Sequence, residues 1–569
     1  MTPDKGLEEN SQRKNRAVVH EVAGLFIVFC LWLWRCWDVL THFFTKMYEV
    51  GSEIDGIAML WMSWWTKMWA ADPNASLFFT PYLNYPYGLD VMASDVAFYH
   101  VMLSGLVSST FGQIGGINFV FCAGSLFGMI GIYALIRQVN STPWVAGLLT
   151  AIPATFAIFE LKRINDLEMA DMGLWTMACV LWLVLLKKGG SVRLVATGFF
   201  IGAALVAQMY YGIGLLMLLI LGLLLSLFGL TPVEISSRKI WWRTLAALAA
   251  GLFIAAPHFL EVGKKLASVK LFEGDPPVLP VYAGFIGSAE FWKLAIIAIL
   301  CVMVALVKNK KAWFWLIAFC ALVVFSFEGF QLSDNSGPDR FLFQPAYWLK
   351  TVVPFLWRLT FPERLAKMAV VILVVLFGQV GKAIFEKYEM KTGLKTVTIL
   401  SLFVVGAIIA PLLLGRPPVG MEHLAMFDKL PGRVSLAPIP IVDLPNVPKA
   451  LLDIHDDPGD FAVMDLTCSE MGLFYQIFHE KPMPGNLLVP LLRKEPSALT
   501  ILQDELCQAV GPDLPDRQEL LNQNIRYVML ARNISRAPQF IELSNTHYGA
   551  PLHADDDLVI YKIEENPSL

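Results

Sequence analysis

The 569 residues predict a mainly α fold: a polytopic transmembrane helical bundle of about 11 spans over 1–414, then a small α/β domain over 415–569 on the outer face. Three observations carry this expectation. The chain is 56% hydrophobic and only 16% charged, with a mean hydropathy of +0.56, whereas soluble domains carry about 25% charged residues. Apolar segments recur from residue 22 to residue 414. Beyond 415 the text turns to proline-rich turns (RPPVG, APIPIVDLP) and then to strand-like runs.

The apolar segments read as spans at about 22–43, 117–137, 143–159, 172–186, 194–210, 211–230, 241–258, 289–307, 312–328, 364–381 and 396–414. Several are shorter than the roughly 20 residues of a straight span. The basic start (Lys5, Arg13, Lys14, Arg16) runs directly into the first of them, as an uncleaved first helix does. Segment 95–111 (DVAFYHVMLSGLVSSTF) reads either as a further crossing or as part of a long first outer loop, 44–116. Charge placement favours the loop. Without that crossing, Arg137, Lys187/Lys188/Arg193, Arg238/Lys239/Arg243, Lys308/Lys310/Lys311 and Lys382/Lys387/Lys391/Lys395 all fall on the side of the N-terminus, the positive-inside arrangement. The expectation is an integral protein of a bacterial inner membrane, N-terminus cytoplasmic and C-terminal domain periplasmic. The long loops 44–116, 160–171, 259–288 and 329–363 are then all outside, where function is expected.

In the C-terminal region FAVMDL (461–466), IRYVML (525–530) and DLVIYKI (557–563) read as strands, and 446–454 and 497–510 as helices. Six of the eight cysteines lie in apolar segments as small buried residues. Cys468 and Cys507 lie in the polar region and would be free to pair in an oxidising compartment. A net charge of -4 gives no reason to expect nucleic acid.

Three constellations on the outer side carry chemistry. The first is GSEIDGIAMLWMSWWTKMW, 51–69, where Glu53 and Asp55 precede a helical stripe of Trp61, Trp64, Trp65 and Trp69. Tryptophan favours the headgroup level, which predicts a helix lying in the outer interface. Asp55 stands where that helix begins, and aspartate serves there equally as a cap and as a general base. In an extended segment Glu53 and Asp55 share a face, so either carboxylate fits the role. The second is ELKRINDLEMAD, 160–171, with Glu160, Asp166, Glu168 and Asp171 in one short loop. Such acids orient hydroxyls or hold a divalent cation, or simply solvate a turn beside Lys162 and Arg163. The third, 338–368, places Arg340, Lys350, Arg358, Arg364 and Lys367 outside, against the positive-inside preference. Arg364 and Lys367 open a span as an i,i+3 pair, matched to a lipid phosphate or snorkelling to ordinary headgroups. His258 is a lone packing histidine by pattern. No metal-binding HExxH, P-loop, dinucleotide fingerprint or serine elbow is present in the sequence.

SEIDGIAMLWMSWW followed by LFFTPYLNYPYGLD resembles the first outer loop of the GT-C membrane glycosyltransferases, the polyprenyl-phosphate-sugar-dependent group that includes bacterial protein-mannosyltransferase-like and ArnT-like members. RINDLEMADMGLWTMA is similar to their second acidic outer loop, and TFPERLAKM to the motif that opens a late span. YQIFHEKPMPGN, NIRYVMLARN and HADDDLVIYKI resemble a periplasmic domain of bacterial members. The resemblance implies an enzyme that moves a sugar from a polyprenyl-phosphate-linked donor to a lipid, glycan or protein acceptor by inverting displacement. It implies Asp55 as general base, with Glu53 as the alternative. Arg358, Arg364 and Lys367 would hold the lipid phosphate, and Asp166, Glu168 and Asp171 the acceptor or sugar. Any divalent cation (Mg or Mn) would sit on Asp55 and Asp166. Relatives often carry histidine near the position of Asp166. The rival readings are a transporter or flippase of lipid-linked sugars, which calls for charges in mid-span, and a non-catalytic scaffold displaying the C-terminal domain.

Overall fold

The computed structural model describes residues 3–48, 53–90, 98–139, 143–152, 168–268, 289–307, 309–326, 364–388, 441–442, 447–468, 471–484, 498–507, 514–532 and 537–564. The expected span 396–414, the boundary at 414/415, Asp166 and Arg358 lie outside them. The other ten expected spans are helical over part or all of their length. Four described helices are long and apolar enough to cross a membrane by length and composition: Val18–Arg35, Tyr99–Gln138, Ser237–Leu260 and Lys367–Ile384. Shorter apolar helices accompany them at Ser191–Ala207, Tyr210–Ser226 and Ile296–Ala305. The chain is an integral membrane protein built on these helices.

Helix α1 (Pro3–Arg35) breaks at Cys36 and resumes as a short α2 (Trp37–Thr41). Strand β1 (Met47–Tyr48) follows, then α3 (Glu53–Ala71), then a small hairpin of β2 (Phe79–Thr80) and β3 (Leu89–Asp90). Helix α4 (Phe98–Val139) contains the ambiguous segment. A straight helix from Tyr99 to Gln138 would be about 60 Å long, twice the hydrocarbon core. It is not straight. Gly112 has φ 73° and ψ 171°, a conformation open to glycine and hostile to L side chains. The two arms fold back on each other there: a Cβ on Gly116 would stand 2.6 Å from Ser104 O and 3.0 Å from Ser108 Cα. The first arm, 98–111, rises only about 21 Å, short of a bilayer core of about 30 Å.

The remaining helices follow in chain order. They are α5 (Pro143–Ile152), α6 (Glu168–Lys188), α7 (Ser191–Ala207), α8 (Met209–Ser226), α9 (Ser237–Ser268), α10 (Ala289–Val307), α11 (Lys310–Phe325) and α12 (Arg364–Tyr388). Close approaches fix which ones run parallel. Gly173 abuts Phe127 and Gly128 while Gly131 abuts Thr176, so α6 runs with the second arm of α4. Gly198 meets Ala250 and Gly202 meets Ile254, so α7 runs with α9.

One end of the bundle collects the basic residues. Arg137 Nε donates to Glu21 Oε1 at 2.8 Å, and Tyr133 OH to Glu21 Oε2 at 2.8 Å. Arg243 donates to the last carbonyls of α6, Leu185 O and Leu186 O, at 3.2 and 2.5 Å. Lys311 pairs with Glu234 at 2.7 Å. Burial lowers the pKa of Lys187, and the nearby charges of Lys311, Lys382 and Lys188 lower it further. Among the described residues, Lys187, Lys188, Arg243, Lys311 and Lys382, which the sequence assigns to one membrane side, therefore meet in space.

The C-terminal unit sits at the opposite end. Its sheet has the order β5-β6-β8-β7, from β5 (Ala462–Leu466), β6 (Ile525–Ala531), β7 (His553–Ala554) and β8 (Leu558–Lys562). β5 pairs with β6 in parallel, and β8 lies antiparallel to both β6 and β7. Helices α13 (Lys449–Asp456), α14 (Met471–His479), α15 (Ala498–Cys507), α16 (Arg517–Asn522) and α17 (Ala537–Tyr548) pack around it. Side chains alternate across the sheet with period two. Val463, Tyr527, Met529 and Ile560 join the apolar cluster that continues into the membrane helices. Met464, Val528, Leu530, Val559 and Tyr561 form a second cluster on the other face. Strand β4 (Ile441–Val442) pairs with β1, Met47 opposite Val442, and ties this unit back to the start of the chain. Cys468 and Cys507 form a disulfide.

Two buried titrating groups here act in opposite directions. Burial raises the Asp465 carboxyl to about 6 from 3.8, although Oδ1 accepts the Thr467 N–H at 2.9 Å. Burial lowers His479 to about 3 from 6.5; its Nδ1 accepts the Lys481 N–H at 3.1 Å. The raised acid contributes stability that is full below its unfolded pKa and is lost as pH rises through 6, about 3 kcal/mol in all. The depressed histidine contributes stability present above 6.5 and lost as pH falls towards 3, about 5 kcal/mol in all. Between pH 4 and 6 the two nearly cancel. Asp465→Asn keeps the Thr467 bond and removes the first contribution. Its melting temperature should rise at pH 7 and fall more steeply than wild type from pH 6 to 4. Parallel pH profiles would contradict this account.

Candidate active site

The structure places the starts of three helices at the end of the bundle away from the basic residues. The first is α3. Its middle is tied to the elbow of α4, where Gln113 Nε2 donates to Leu60 O at 3.0 Å. Asn118 Nδ2 donates to Phe43 O and Lys46 O, both at 2.8 Å, and fixes the chain that leads to α3. Gly105 of the first arm lies so close to α3 that a Cβ would stand 2.4 Å from Ser63 O. The helix begins at Glu53, so Asp55 occupies the first turn and is not the residue before the helix. This corrects the cap expected from sequence. It also removes the shared face of an extended segment, because positions two apart on a helix are separated by about 200°. A carboxylate in a first turn is favoured by the helix dipole.

The tryptophan stripe needs a larger correction. Trp61, Trp64 and Trp65 are buried, at 1%, 2% and 3% exposure. Their indole N–H groups donate to Gln476 Oε1 (2.6 Å), Glu480 Oε1 (3.3 Å) and Leu77 O (3.2 Å). These rings face protein, not headgroups. Helix α3 is sandwiched between the first arm of α4 and α14 of the C-terminal unit, and is buried on all sides over 56–66.

The second start is that of α6, whose first turn holds Glu168 and Asp171. The third is that of α12, which opens on Arg364 and carries Lys367 one turn further in. A helix N-terminus favours an anion, and Arg364 and Lys367 add positive charge to this one. Lys367 is buried at 1% exposure, which rules out snorkelling to headgroups for this side chain. A Cβ on Gly214 of α8 would stand 2.3 Å from Met368 Cε, so α8 closes over this turn, with buried Tyr210 and Tyr211 at its own start. Tyr99 OH lies 2.8 Å from His258 Nδ1 at the same end. His258, read from sequence as a lone packing residue, is thus paired across α4 and α9. The side chains of Glu53, Asp55, Glu168, Asp171 and Arg364 lie outside the described ones. Among the described residues no group of three or more His, Cys, Asp or Glu is placed to hold a metal ion.

No family model and no curated protein matches the chain. Solved structures do. An oligosaccharyltransferase of Archaeoglobus fulgidus in its apo form is similar at a TM-score of 0.47 and 12% identity, over 92% of this chain and 71% of that one. The archaeal oligosaccharyltransferase AglB from the same organism, with an inhibitory peptide and a dolichol-phosphate, is similar at 0.43 and 12%, over 95% and 72%. ArnT from Cupriavidus metallidurans bound to undecaprenyl phosphate is similar at 0.45 and 12%, over 95% of this chain and 98% of that one.

Proposed function

We propose that this protein is a membrane glycosyltransferase that moves a sugar from a polyprenyl-phosphate-linked donor to an acceptor on the outer face. The observation that carries the reading is the pairing at one end of the bundle: an acid-bearing helix start at α3, and a helix start at α12 with two cations, one of them buried. A phosphate at the N-terminus of α12 would be favoured by the helix dipole and by the charges of Arg364 and Lys367. Arg358 is the further candidate for this role. The acceptor hydroxyl attacks the sugar's anomeric carbon as its proton passes to the Asp55 carboxylate. The bond from that carbon to the phosphate oxygen breaks, and its electron pair leaves with the polyprenyl phosphate, whose growing charge the cations stabilise. Inversion follows from a single displacement. Glu53 is the alternative base. Asp166, Glu168 and Asp171 are assigned to the acceptor or the sugar. A Mg or Mn ion would find its carboxylates at Asp55 and Asp166; no step above runs through one. The acceptor, whether lipid, glycan or protein, meets the site in the outer interface, with the basic end of the bundle in the cytoplasm.

The flippase reading calls for charges inside the spans. Among the described residues Ser125, Thr150, Thr176, Thr244 and Gln379 are buried, uncharged polar groups of the spans, and the buried charges within expected spans are two, Arg35 in the first and Lys367 at the start of the tenth. Thr150 and Thr176 spend their hydroxyls on carbonyls of their own helices. The test compares cell-envelope glycans of strains carrying wild type, Asp55→Asn and Arg364→Ala. Loss of a donor aimed at developing charge typically costs about 10²–10³ in rate, so Arg364→Ala should strip the transferred sugar. Equal sugar content at equal protein abundance in all three strains overturns the mechanism.

A further inference from the structure

The proposed base lies in the first turn of α3, and what holds α3 is not the membrane bundle alone. Gln476 of α14 is fully buried and uses its whole amide. Oε1 accepts the Trp61 indole N–H at 2.6 Å, and Nε2 donates to Tyr82 O at 2.7 Å and Lys481 O at 3.0 Å. Around it the backbone of 480–484 is stitched on both sides. Met483 N–H donates to Tyr82 O at 2.9 Å and Tyr85 N–H to Met483 O at 3.0 Å, while Val463 N–H of β5 donates to Pro482 O at 2.9 Å. A continuous chain of bonds therefore runs from the sheet, through residues 482 and 483, to the first outer loop and α3. Trp61 is six residues from Asp55, about 9 Å along the helix axis.

An apolar side chain at 476 would fill the space against Trp61. The amide adds direction: its acceptor meets one donor and its two N–H groups meet two carbonyls, and only one placement of α3 satisfies all three. We propose that Gln476 is a positioning residue for the reaction. Acting through Trp61, it makes the C-terminal unit the element that fixes the placement of the helix bearing Glu53 and Asp55. The functional half of this statement rests on the glycosyltransferase reading; the mechanical half does not.

The experiment uses the full chain in nanodiscs and reads backbone amide exchange over 53–60, together with envelope glycan content in cells. Gln476→Met keeps the length and apolar volume and makes none of the three bonds. Trp61→Phe keeps a buried ring and loses the donor. Each should speed exchange over 53–60 by about tenfold or more, with α9 and α12 unchanged. The double variant should add little beyond either single one, because both break the same link. Gln476→Glu supplies the readout that a merely packed residue would not move. As a neutral acid it accepts from Trp61 and donates to one carbonyl; as an anion it faces two carbonyl oxygens. Exchange in Gln476→Glu, corrected for intrinsic rate, should be close to wild type at pH 5 and loosened at pH 8. Gln476→Met should be loosened equally at both.

Unchanged exchange in Gln476→Met and Trp61→Phe overturns the proposal. So does wild-type glycan content in Gln476→Met in a background where Asp55→Asn abolishes transfer. If Asp55→Asn itself leaves the glycans intact, the glycosyltransferase reading has failed instead. The exchange data then still decide whether Gln476 holds α3.

Discussion

Asp55→Asn should lower sugar transfer by about 10²–10⁴-fold, the usual contribution of a positioned general base, while leaving the protein as abundant as wild type. Asparagine has nearly the same shape and keeps an acceptor oxygen, so the first turn of α3 retains its geometry. What it loses is the ability to take a proton. The loss of a favourable charge at a helix N-terminus costs only about 0.3–1 kcal/mol, too little to clear the protein from the membrane. Activity and stability are therefore expected to separate, and the pair of measurements distinguishes catalysis from folding. Glu53→Gln is the control. Glu53 and Asp55 occupy the first and third positions of the helix, about 200° apart around its axis, so the two substitutions test separate positions. A severe loss in Glu53→Gln with a mild one in Asp55→Asn would exchange their roles. Severe losses in both, with normal abundance, would point to a shared proton or a shared substrate contact.

Much of the scaffold behind this prediction is legible in the sequence because it rests on local period. The turn between α7 and α8 falls at Gln208, within two or three residues of the boundary that hydropathy places at 210/211. Three of the four strands of the C-terminal sheet fall within a residue of the runs FAVMDL, IRYVML and DLVIYKI, and the two-residue β7 matches none of them. The misreadings share a cause: each depends on a partner distant in the chain. The tryptophan stripe has the composition of a headgroup anchor, and only Gln476 and Glu480, 415 and 416 residues later, show that the rings are buried in protein. The fold-back of α4 hangs on a single backbone angle at Gly112 inside otherwise uninterrupted helical text. His258 finds Tyr99 across 159 residues. Of the candidate site, the motifs and the charges of α3, α6 and α12 are visible in sequence. Charge placement already puts them on one side of the membrane; which helices run side by side there follows only from close approaches at glycines such as Gly131 and Gly214. Gln476 stands in a motif that the sequence singles out, YQIFHEKPMPGN, but nothing local marks its amide as the buried contact.

Breaking the disulfide should destabilise the C-terminal unit by about 4 kcal/mol, as measured by thermal or denaturant melting of Cys468→Ser/Cys507→Ser against wild type. The magnitude follows from loop closure: the two cysteines are 39 residues apart, and a cross-link over such a loop removes chain entropy worth between the roughly 3 kcal/mol of a 15-residue loop and the 4.7 of a 100-residue one. Location makes the bond matter for the site as well. Cys468 follows β5 and precedes α14, whose Gln476 grips α3; Cys507 ends α15. Reduction frees α15 from the end of β5, and the loosened unit should hold α3 less firmly, so glycan content should fall together with the melting temperature. The same bond bears on orientation. Disulfides persist in oxidising compartments and are rare in the cytosol, and this one lies at the end of the molecule away from Arg137, Lys187, Arg243 and Lys311. Redox chemistry and the positive-inside preference are independent, and both support the proposal that the C-terminal unit lies outside. Protein taken from native membranes and treated with a polyethylene-glycol maleimide should leave Cys468 and Cys507 unlabelled until a reductant is added. Labelling of both without reductant would mean that this end of the bundle faces the cytoplasm, and the donor, the acceptor and the proposed transfer would have to move to the other side of the membrane with it.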